Sequence, residues 1–383
     1  MSDPYPLDIY GEMLTDPVRM DAYRTAMARA IRPGDTVVDI GTGPGVTALL
    51  ACQLGAGHVY AIDPNPCIVV GERLARANGY ADRITFVRGL STEFTPERPV
   101  DVLVSDLRGR FPLHGQHIPS IIDARRRLLK PGGIQIPARD RLFVGLACDD
   151  AQYRRLRRPW IENEFALDLA SVWPLVFNRT QHSIPKKTLS LGGGACWAEV
   201  DYRSVTSPDA SGTVTLEAPE GGRVNGLELW FEAELLDGVG YATSPRDPNQ
   251  VYGRTLLPLR EELTLAVGEE VDVGLDMRLV GRSYQTRWTV AVRAPDGGAP
   301  RVRLEHSTFQ SVLLDAKDLR LRSPAHVPNL TAKGRAARLV LDNLESGLTV
   351  GELGAMLGRA QSDLFPTKVA AESFVTDLLA SLF

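Results

Sequence analysis

Short apolar runs alternate with helix-like stretches over the first third of the chain. Buried parallel strands are predicted at Val37–Ile40, His58–Ile62, Ile84–Val87 and Val102–Val104. Between them, helical periodicity predicts helices over Val46–Leu54, Ile68–Asn78 and Ile118–Leu129, the last ending at a Lys130–Gly133 turn. This alternation predicts a doubly wound parallel α/β sheet over 36–137, with a ligand crevice at the carboxyl ends of the strands.

The pattern differs on both sides of this region. Residues 1–35 are predicted to be partly helical, because Leu14, Val18, Ala22 and Ala26 recur every fourth position. After residue 138, short alternating runs separated by Gly/Pro turns predict a β-barrel or sandwich domain over 138–304. The runs are Cys196–Tyr202, Leu227–Leu235, Thr255–Leu259 and Trp288–Val292.

Helical patterns return from residue 305 to residue 383. Leu339–Leu344 is an apolar stretch that ends at Gly347, and Thr349 and Glu352 have the spacing of a capping box. A final apolar stripe runs from Phe374 to Leu382. We predict a small C-terminal helical module of winged-helix type.

Composition narrows the classes of function. The chain has 383 residues with a net charge of −4, which argues against general nucleic-acid binding. Four cysteines without a C-x-x-C pair favour reduced thiols in a cytoplasmic protein. No run is long and apolar enough to span a membrane, no signal peptide is recognisable, and no spacing is typical of metal ligands.

The glycine-rich segment that follows the first strand carries the clearest chemistry. Gly41, Gly43 and Gly45 allow a ligand to approach the backbone closely. Asp39 precedes the turn, and Asp63 lies about 20 residues beyond it, where an acid accepts hydrogen bonds from a ribose. The pattern D-x-G-x-G-x-G is that of S-adenosylmethionine sites, whereas Val46 replaces the third glycine of dinucleotide sites. A nicotinamide oxidoreductase is the less favoured alternative.

The order of these features resembles the protein arginine methyltransferases over about residues 8–300. The segments GEMLTDPVRMDAYRTAM and TSPRDPNQVYGRTLLPL carry the resemblance. It implies S-adenosylmethionine as cofactor, with Met13 near the sulfonium and Arg19 paired with the methionine carboxylate. It further implies that Asp63 and Pro64 lie at the ribose and that Ser91 and Thr92 lie at the adenine. A homodimer formed through an arm at 160–182 is also implied.

The loop after the fourth predicted strand departs from this family. The family carries two glutamates there, but SDLRGRFPLHGQHIPSI has Asp106 at the first position and Gly115 at the second. The histidine of the family's T-H-W motif is also missing, because that motif falls at Gln250–Tyr252. Asp106, His114 and His117 are therefore the predicted catalytic residues, since a neutral histidine can take a proton from an amine. Arg108 and Arg110 are expected to be solvated or to bind a substrate carboxylate.

One carboxylate with nearby imidazoles favours N-methylation of an amine in a peptide or small natural product. Two alternatives stay open, namely N-methylation of protein or free arginine, and a catalytically silent cofactor-binding scaffold. The stretch from Leu330 to Phe383 resembles the helical part of small peptide-binding domains in enzymes that mature ribosomally made peptides. That resemblance implies that the C-terminal module binds a peptide; its alternative is a helical cap on the barrel.

Overall fold

The computed structural model describes residues 6–183, 188–246, 251–294, 298–313, 315–321, 323–380 and 382. The chain divides into two compact units, Met1–Val312 and Leu313–Phe383. The predicted boundary at residue 305 is wrong, because it falls inside strand Val302–Ser307, which pairs with its neighbour in the first unit.

The N-terminal segment forms two helices, α1 (Leu7–Leu14) and α2 (Pro17–Ala30). Pro17 occupies the first turn of α2, where its missing N–H is not needed, and the Asp16 side chain accepts a hydrogen bond from the Arg19 amide. The predicted single stripe is therefore interrupted: Leu14 and Val18 are exposed. The face that α2 buries consists of Ala22, Tyr23, Ala26, Met27 and Ala30.

A five-stranded parallel sheet with the strand order β3-β2-β1-β4-β5 confirms the predicted α/β domain. Its strands are β1 (Thr36–Ile40), β2 (His58–Ile62), β3 (Ile84–Val87), β4 (Val100–Ser105) and β5 (Leu129–Ile136). The connecting helices are α3 (Val46–Gln53), α4 (Ile68–Ala77) and α5 (His117–Arg127). Ile40 pairs with both Ile62 and Ser105, so the carboxyl ends of three strands meet at one edge.

The predicted Lys130–Gly133 turn is wrong, because these residues belong to β5. Val100 pairs with Leu129 and Val102 pairs with Ile134, so the strand bulges outward between those contacts. Gly132 supplies the positive φ of 73° within the bulge.

The strands in the remainder of the first unit are antiparallel. They confirm the prediction that an antiparallel β region follows the parallel sheet. Its strands are β6 (Arg139–Cys148), β7 (Gln181–Ser183), β8 (Leu189–Asp201), β9 (Ala210–Glu217), β10 (Gly222–Leu236), β11 (Val239–Ala242), β12 (Arg254–Leu265), β13 (Glu270–Val280), β14 (Ser283–Arg293) and β15 (Val302–Ser307). One sheet has the order β7-β12-β10-β6-β8, with β11 on β10, and the other has the order β15-β14-β13-β9. One continuous hydrophobic core joins these sheets to the parallel sheet.

The segment predicted to be a dimerisation arm, 160–182, begins at the end of helix α6 (Asp150–Ile161) and contains α7 (Trp173–Phe177). Phe177 is fully buried, whereas Phe165 and Leu167 are 77% and 59% exposed. Its last residues enter β7, which pairs with β12.

The C-terminal unit contains helices α8 (Ala316–Leu321), α9 (Ala332–Leu341), α10 (Val350–Ala360) and α11 (Lys368–Ala380). The predicted capping box is present, with Thr349 and Glu352 bonded reciprocally. The core of this unit is Ala336, Val340, Leu353, Leu357, Phe365, Ala371 and Val375. Winged-helix character is not confirmed, because this unit shows no strand among its described residues.

In the part of the chain that the structure describes, no helix has the length and apolarity to cross a membrane.

Candidate active site

The glycine turn lies at the carboxyl end of β1 and wraps around the end of β2. The amides of Gly41 and Thr42 donate to the Ile62 carbonyl at 2.9 and 3.2 Å. Gly43 has a φ of 55°, and a Cβ at this position would come within 2.5 Å of the Tyr10 ring. Glycine is therefore required both by the backbone conformation and by the close approach of helix α1.

Two buried acids flank this turn. Asp63 accepts hydrogen bonds from the amides of Gly43 (2.8 Å) and Asn65 (2.7 Å), and burial raises its pKa. Asp39 accepts from the Thr42 hydroxyl at 2.6 Å. Its burial raises its pKa to about 7, against the opposing effect of the Thr42 hydrogen bond.

The other predicted cofactor residues lie along the same edge. The Gly89 amide donates to the Asp63 carbonyl at 3.2 Å, so the turn leading to Ser91 and Thr92 follows beside Asp63. Ser91 is buried, whereas Pro64 and Thr92 are exposed. Met13 is half-buried, and its carbonyl accepts from the Arg19 guanidinium at 3.3 Å.

This donor set suits a ligand that carries a ribose, an ammonium and a carboxylate. Asp63 and Asp39 supply acceptors at a glycine cradle, and Arg19 supplies a cation. The Ser105 hydroxyl at the end of β4 is buried without a partner among the described residues, leaving a polar group for a ligand to satisfy. The residues present therefore fit S-adenosylmethionine.

We predict that affinity for S-adenosylmethionine rises with pH through about 7. Because burial raises the pKa of Asp39 to about 7, its carboxyl is protonated below that pH and ionised above it. An ammonium prefers the ionised form, so affinity falls by up to about tenfold per pH unit on the acid side. The stability of the protein without ligand depends on pH in the opposite direction. Because the pKa of Asp39 is higher in the folded protein than in the unfolded chain, its contribution to the free energy of unfolding decreases as pH rises from 3.8 through about 7.

Titration calorimetry at several pH values between 5.5 and 8.5 checks this prediction. Asp39→Asn is the matched variant, and its affinity is expected to be weak and independent of pH over that range. If the wild-type affinity for S-adenosylmethionine is unchanged across this pH range, Asp39 does not bind the ammonium of the cofactor.

Asp106 follows β4 and is held by cations on both sides. Arg19 donates to its Oδ2 atom through Nε at 2.8 Å and Nη2 at 2.7 Å, and Arg108 donates to Oδ1 at 3.1 Å. The Tyr252 hydroxyl also donates to Oδ2. Burial favours the neutral acid, but Arg19, Arg108 and the Tyr252 hydrogen bond lower the pKa of Asp106 below its usual value. Asp106 is therefore an ionised group that orients donors, not one that takes up a proton.

Arg108 is fully buried, so the expectations of a solvated side chain or a carboxylate receptor are wrong for it. Its guanidinium is bidentate on Asp140, with Nε at 2.7 Å and Nη2 at 3.2 Å. Nη1 donates to the Tyr23 hydroxyl at 2.8 Å as well as to Asp106. The Tyr202 hydroxyl donates to Asp140 at 2.5 Å. Internal partners thus occupy this guanidinium, while Arg110 is exposed.

Sequence reasoning missed the tyrosines that surround this acid. Tyr252 donates to Asp106 and accepts from Arg19 Nε at 3.0 Å and from the Tyr241 hydroxyl at 3.1 Å. The rings of Tyr241 and Tyr252 stack with centroids 5.9 Å apart. The signal available was the position of Tyr252 in the T-H-W alignment.

Neither of the two predicted catalytic histidines, His114 and His117, forms a hydrogen bond with Asp106 in the described structure. His117 is buried at the start of α5, with Nδ1 3.1 Å from the Pro112 carbonyl and its ring 5.1 Å from that of Tyr202. Because a carbonyl only accepts, Nδ1 carries the hydrogen. Burial and the charge of Arg108 lower the pKa of His117 to about 3. His114 is exposed and packs beside Gly109.

Gly115 has a φ of 47° and open space where a Cβ would stand. Because glycine has no side chain, this position supplies no second acid. Gln250 lies outside the described residues, so the aligned T-H-W segment is described only from Val251 onward.

The sequence of this chain is similar to those of known methyltransferases. Residues 24–136 match the model of the ribosomal protein L11 methyltransferase (PrmA) family. An arginine N(omega)-methyltransferase of Streptomyces achromogenes subsp. streptozoticus is 30% identical over 274 residues, 69% of this chain and 74% of the relative. Protein arginine N-methyltransferase 8-B of Danio rerio is 29% identical over 271 residues, 69% of this chain but 64% of the relative's own length.

Solved structures share the fold. The Trypanosoma brucei PRMT1 enzyme-prozyme heterotetrameric complex with AdoHcy matches with a TM-score of 0.69 and 23% identity. The match covers 78% of this chain and 97% of that one. Arabidopsis thaliana protein arginine methyltransferase 10 matches with a TM-score of 0.68 and 20% identity, over 78% and 97% of the two chains.

Proposed function

This chain belongs to the arginine N-methyltransferase family, and we propose that it transfers the methyl group of S-adenosylmethionine to a guanidinium nitrogen of arginine, free or within a peptide or protein. Family membership confirms the predicted resemblance, the enzyme class of S-adenosylmethionine-dependent methyltransferase and the cofactor. The preferred acceptor changes, however. The relatives support arginine, the alternative acceptor in the sequence-based prediction, better than an amine of a peptide or natural product.

The observation that carries this proposal is the fixed, ionised carboxylate of Asp106 at the crevice. Its side chain is 13% exposed, so it is accessible from the crevice while four internal donors hold it in place. An ionised carboxylate can accept an N–H of a planar guanidinium and turn another nitrogen toward the reacting methyl group.

Bound S-adenosylmethionine supplies an electrophilic methyl group on a sulfonium. The chain's own residues would then align the acceptor and exclude water. Arg19 would hold the methionine carboxylate while keeping its contact with Asp106, which joins the cofactor to the acceptor end of the site. Asp63 would accept hydrogen bonds from the ribose.

An amine acceptor is the second candidate, and Gly115 is the observation that favours it. With no acid supplied from that position, the site offers the acceptor one carboxylate from this loop, Asp106. One carboxylate is sufficient to orient an ammonium or amine, whereas a guanidinium has edges for two. The proposed peptide binding by the C-terminal unit, the homodimer through 160–182 and a cytoplasmic location remain predictions.

We predict S-adenosylhomocysteine formation when the full chain is incubated with S-adenosylmethionine and an arginine acceptor. The panel is free L-arginine, a peptide with one arginine, and the same peptide with lysine in place of that arginine. Mass spectrometry locates the added methyl group. Methylation of both arginine acceptors or of either one, without reaction of the lysine peptide, is the expected result.

The other outcomes separate the alternatives. Faster methylation of the lysine peptide favours the amine acceptor. Tight cofactor binding without turnover of any acceptor favours the silent scaffold, and absence of cofactor binding in calorimetry overturns the methyltransferase proposal altogether.

A further inference from the structure

We propose that Arg127, the last residue of helix α5, is a positioning residue for S-adenosylmethionine. It fixes the short segment 91–94, called the base turn, against which the adenine of the cofactor would lie. This inference rests on the proposed function only for its kinetic readout, because binding of the cofactor is measured without a methyl acceptor.

The position of the base turn follows from the direction in which the cofactor would cross the sheet. Arg19 and Asp106 mark the methionine end beside β4, and Asp63 marks the ribose at the end of β2. The ribose of S-adenosylmethionine lies between its methionine and its adenine. With the strand order β3-β2-β1-β4, the adenine would therefore continue from β2 towards β3.

The backbone beside Asp63 leads directly into the base turn. The Asp63 amide donates to the Val87 carbonyl of β3 at 3.1 Å. The Gly89 amide, two residues further along, donates back to the Asp63 carbonyl at 3.2 Å. The chain that leaves β3 thus passes the ribose acid and reaches Ser91, which is buried.

The base turn is a single turn of 3₁₀ helix over Ser91–Glu93. Its internal backbone hydrogen bonds run from the Glu93 amide to the Leu90 carbonyl at 3.0 Å and from the Phe94 amide to the Ser91 carbonyl at 3.3 Å. Hydrogen bonds in a 3₁₀ turn have poor geometry, so partners from outside the turn are needed to hold one conformation.

Arg127 supplies such partners from helix α5. Its Nη2 atom donates to the Ser91 carbonyl at 2.8 Å, and its Nη1 atom donates to the Phe94 carbonyl at 2.7 Å. Two nitrogens of one planar guanidinium therefore bind the carbonyls at the two ends of the base turn. Because the fork is rigid and charged, it fixes the separation of these carbonyls.

The guanidinium is itself held in place. Asp123, one helical turn earlier, accepts from Arg127 Nε at 2.9 Å and from Nη2 at 2.6 Å. Helix α5 is anchored in the core by the buried side chains of Ile118, Ile121 and Ala124. The base turn is therefore tied through Arg127 to a fixed helix.

A solvated helix end is the ordinary role of an arginine run such as Arg125–Arg127. Arg126 agrees with that role, because it is exposed. Arg127 does not, because its guanidinium binds two carbonyls and a carboxylate although its side chain is 34% exposed. Loss of this guanidinium should let the base turn move and weaken its contact with the adenine.

Calorimetry with S-adenosylhomocysteine tests this role. Arg127→Met removes the guanidinium and keeps an unbranched side chain, and we expect Kd to rise by about fivefold to tenfold. Arg127→Lys keeps the charge but lacks the planar fork, so a smaller rise of about twofold to threefold is expected. Arg126→Met is the matched control, and its Kd should stay within about twofold of the wild type.

Steady-state kinetics separate positioning of the cofactor from a general loss of structure. In Arg127→Met, KM for S-adenosylmethionine should rise by about the same factor as Kd. Both kcat and KM for the acceptor should stay within about twofold of the wild type. A fall in kcat at saturating S-adenosylmethionine with an unaltered Kd overturns the proposal.

Hydrogen exchange reports on the base turn without cofactor or turnover. The amides of Glu93 and Phe94 should exchange faster in Arg127→Met than in the wild type, whereas those of β1 should not. Unaltered exchange at both amides, or an unaltered Kd, overturns the positioning role. If Arg127→Met does not fold, Arg127→Lys decides by the same measurements.

The wild type distinguishes this proposal from the proposed function. If it does not bind S-adenosylhomocysteine, the role of Arg127 is overturned together with the assignment of the cofactor. Binding without turnover of any acceptor counts only against the proposed function, and the Kd and exchange results then still decide the role of Arg127.

Discussion

Asp106→Asn lowers kcat/KM for the methyl acceptor by about 10²–10³-fold, the loss expected when one oriented electrostatic group is removed from a catalytic site. The amide has nearly the shape of the acid but no charge. Its nitrogen cannot accept hydrogen bonds from Arg19, Arg108 or Tyr252, which all donate to the carboxylate. Initial rates at varied acceptor concentration measure the effect, and calorimetry should show that S-adenosylmethionine still binds.

Asp101→Asn is the matched control for this experiment. Asp101 lies near the amino end of the same strand, β4, and accepts the Thr36 amide at 2.8 Å, away from the carboxyl edge. Its kcat/KM should stay within about threefold of the wild type. Equal kinetics of Asp106→Asn and wild type contradict the role given to Asp106.

Arg108→Met destabilises the first unit by about 3–5 kcal/mol, because it leaves the buried carboxylate of Asp140 without its cation. Both side chains are completely buried. The double variant Arg108→Met/Asp140→Asn removes both charges and should recover a large part of that loss. Urea unfolding followed by tryptophan fluorescence measures each free energy of unfolding.

Arg110→Met is the control here, because Arg110 is an exposed arginine two positions further along the same loop. Its free energy of unfolding should change by less than about 0.5 kcal/mol. If Arg108→Met changes the free energy of unfolding as little as this control does, the buried Arg108–Asp140 ion pair does not contribute to stability as predicted.

The cofactor half of the site could be predicted from sequence because its residues are close together in the chain. Asp39, Gly41 and Gly43 belong to one strand–turn segment, and Asp63 follows the next strand. In a parallel sheet adjacent strand ends meet at one edge, so local pattern alone brings these groups together. The Asp63–Gly43 hydrogen bond agrees with that expectation.

The acceptor half is built from residues that are far apart in the chain. Arg19, Asp106, Asp140 and Tyr252 come from α2, the end of β4, the start of β6 and the loop before β12. No periodicity predicts that Arg108 turns inward to Asp140, because a charged residue in a Gly/Pro-rich loop is usually solvated. His117 illustrates the converse: its sequence position suggested chemistry, but its burial at the start of α5 holds it neutral and away from Asp106.

The sequence by itself determined the parallel sheet, the glycine cradle, the antiparallel region and the class of cofactor, since each depends on short-range patterning of apolar residues, glycines and acids. Only the tertiary structure decided which cations hold Asp106, that Arg108 is internal, and that the Tyr252 hydroxyl donates to Asp106. The physical reason is that buried polar groups must find partners, and which partners they find depends on how distant segments pack rather than on their neighbours in the chain.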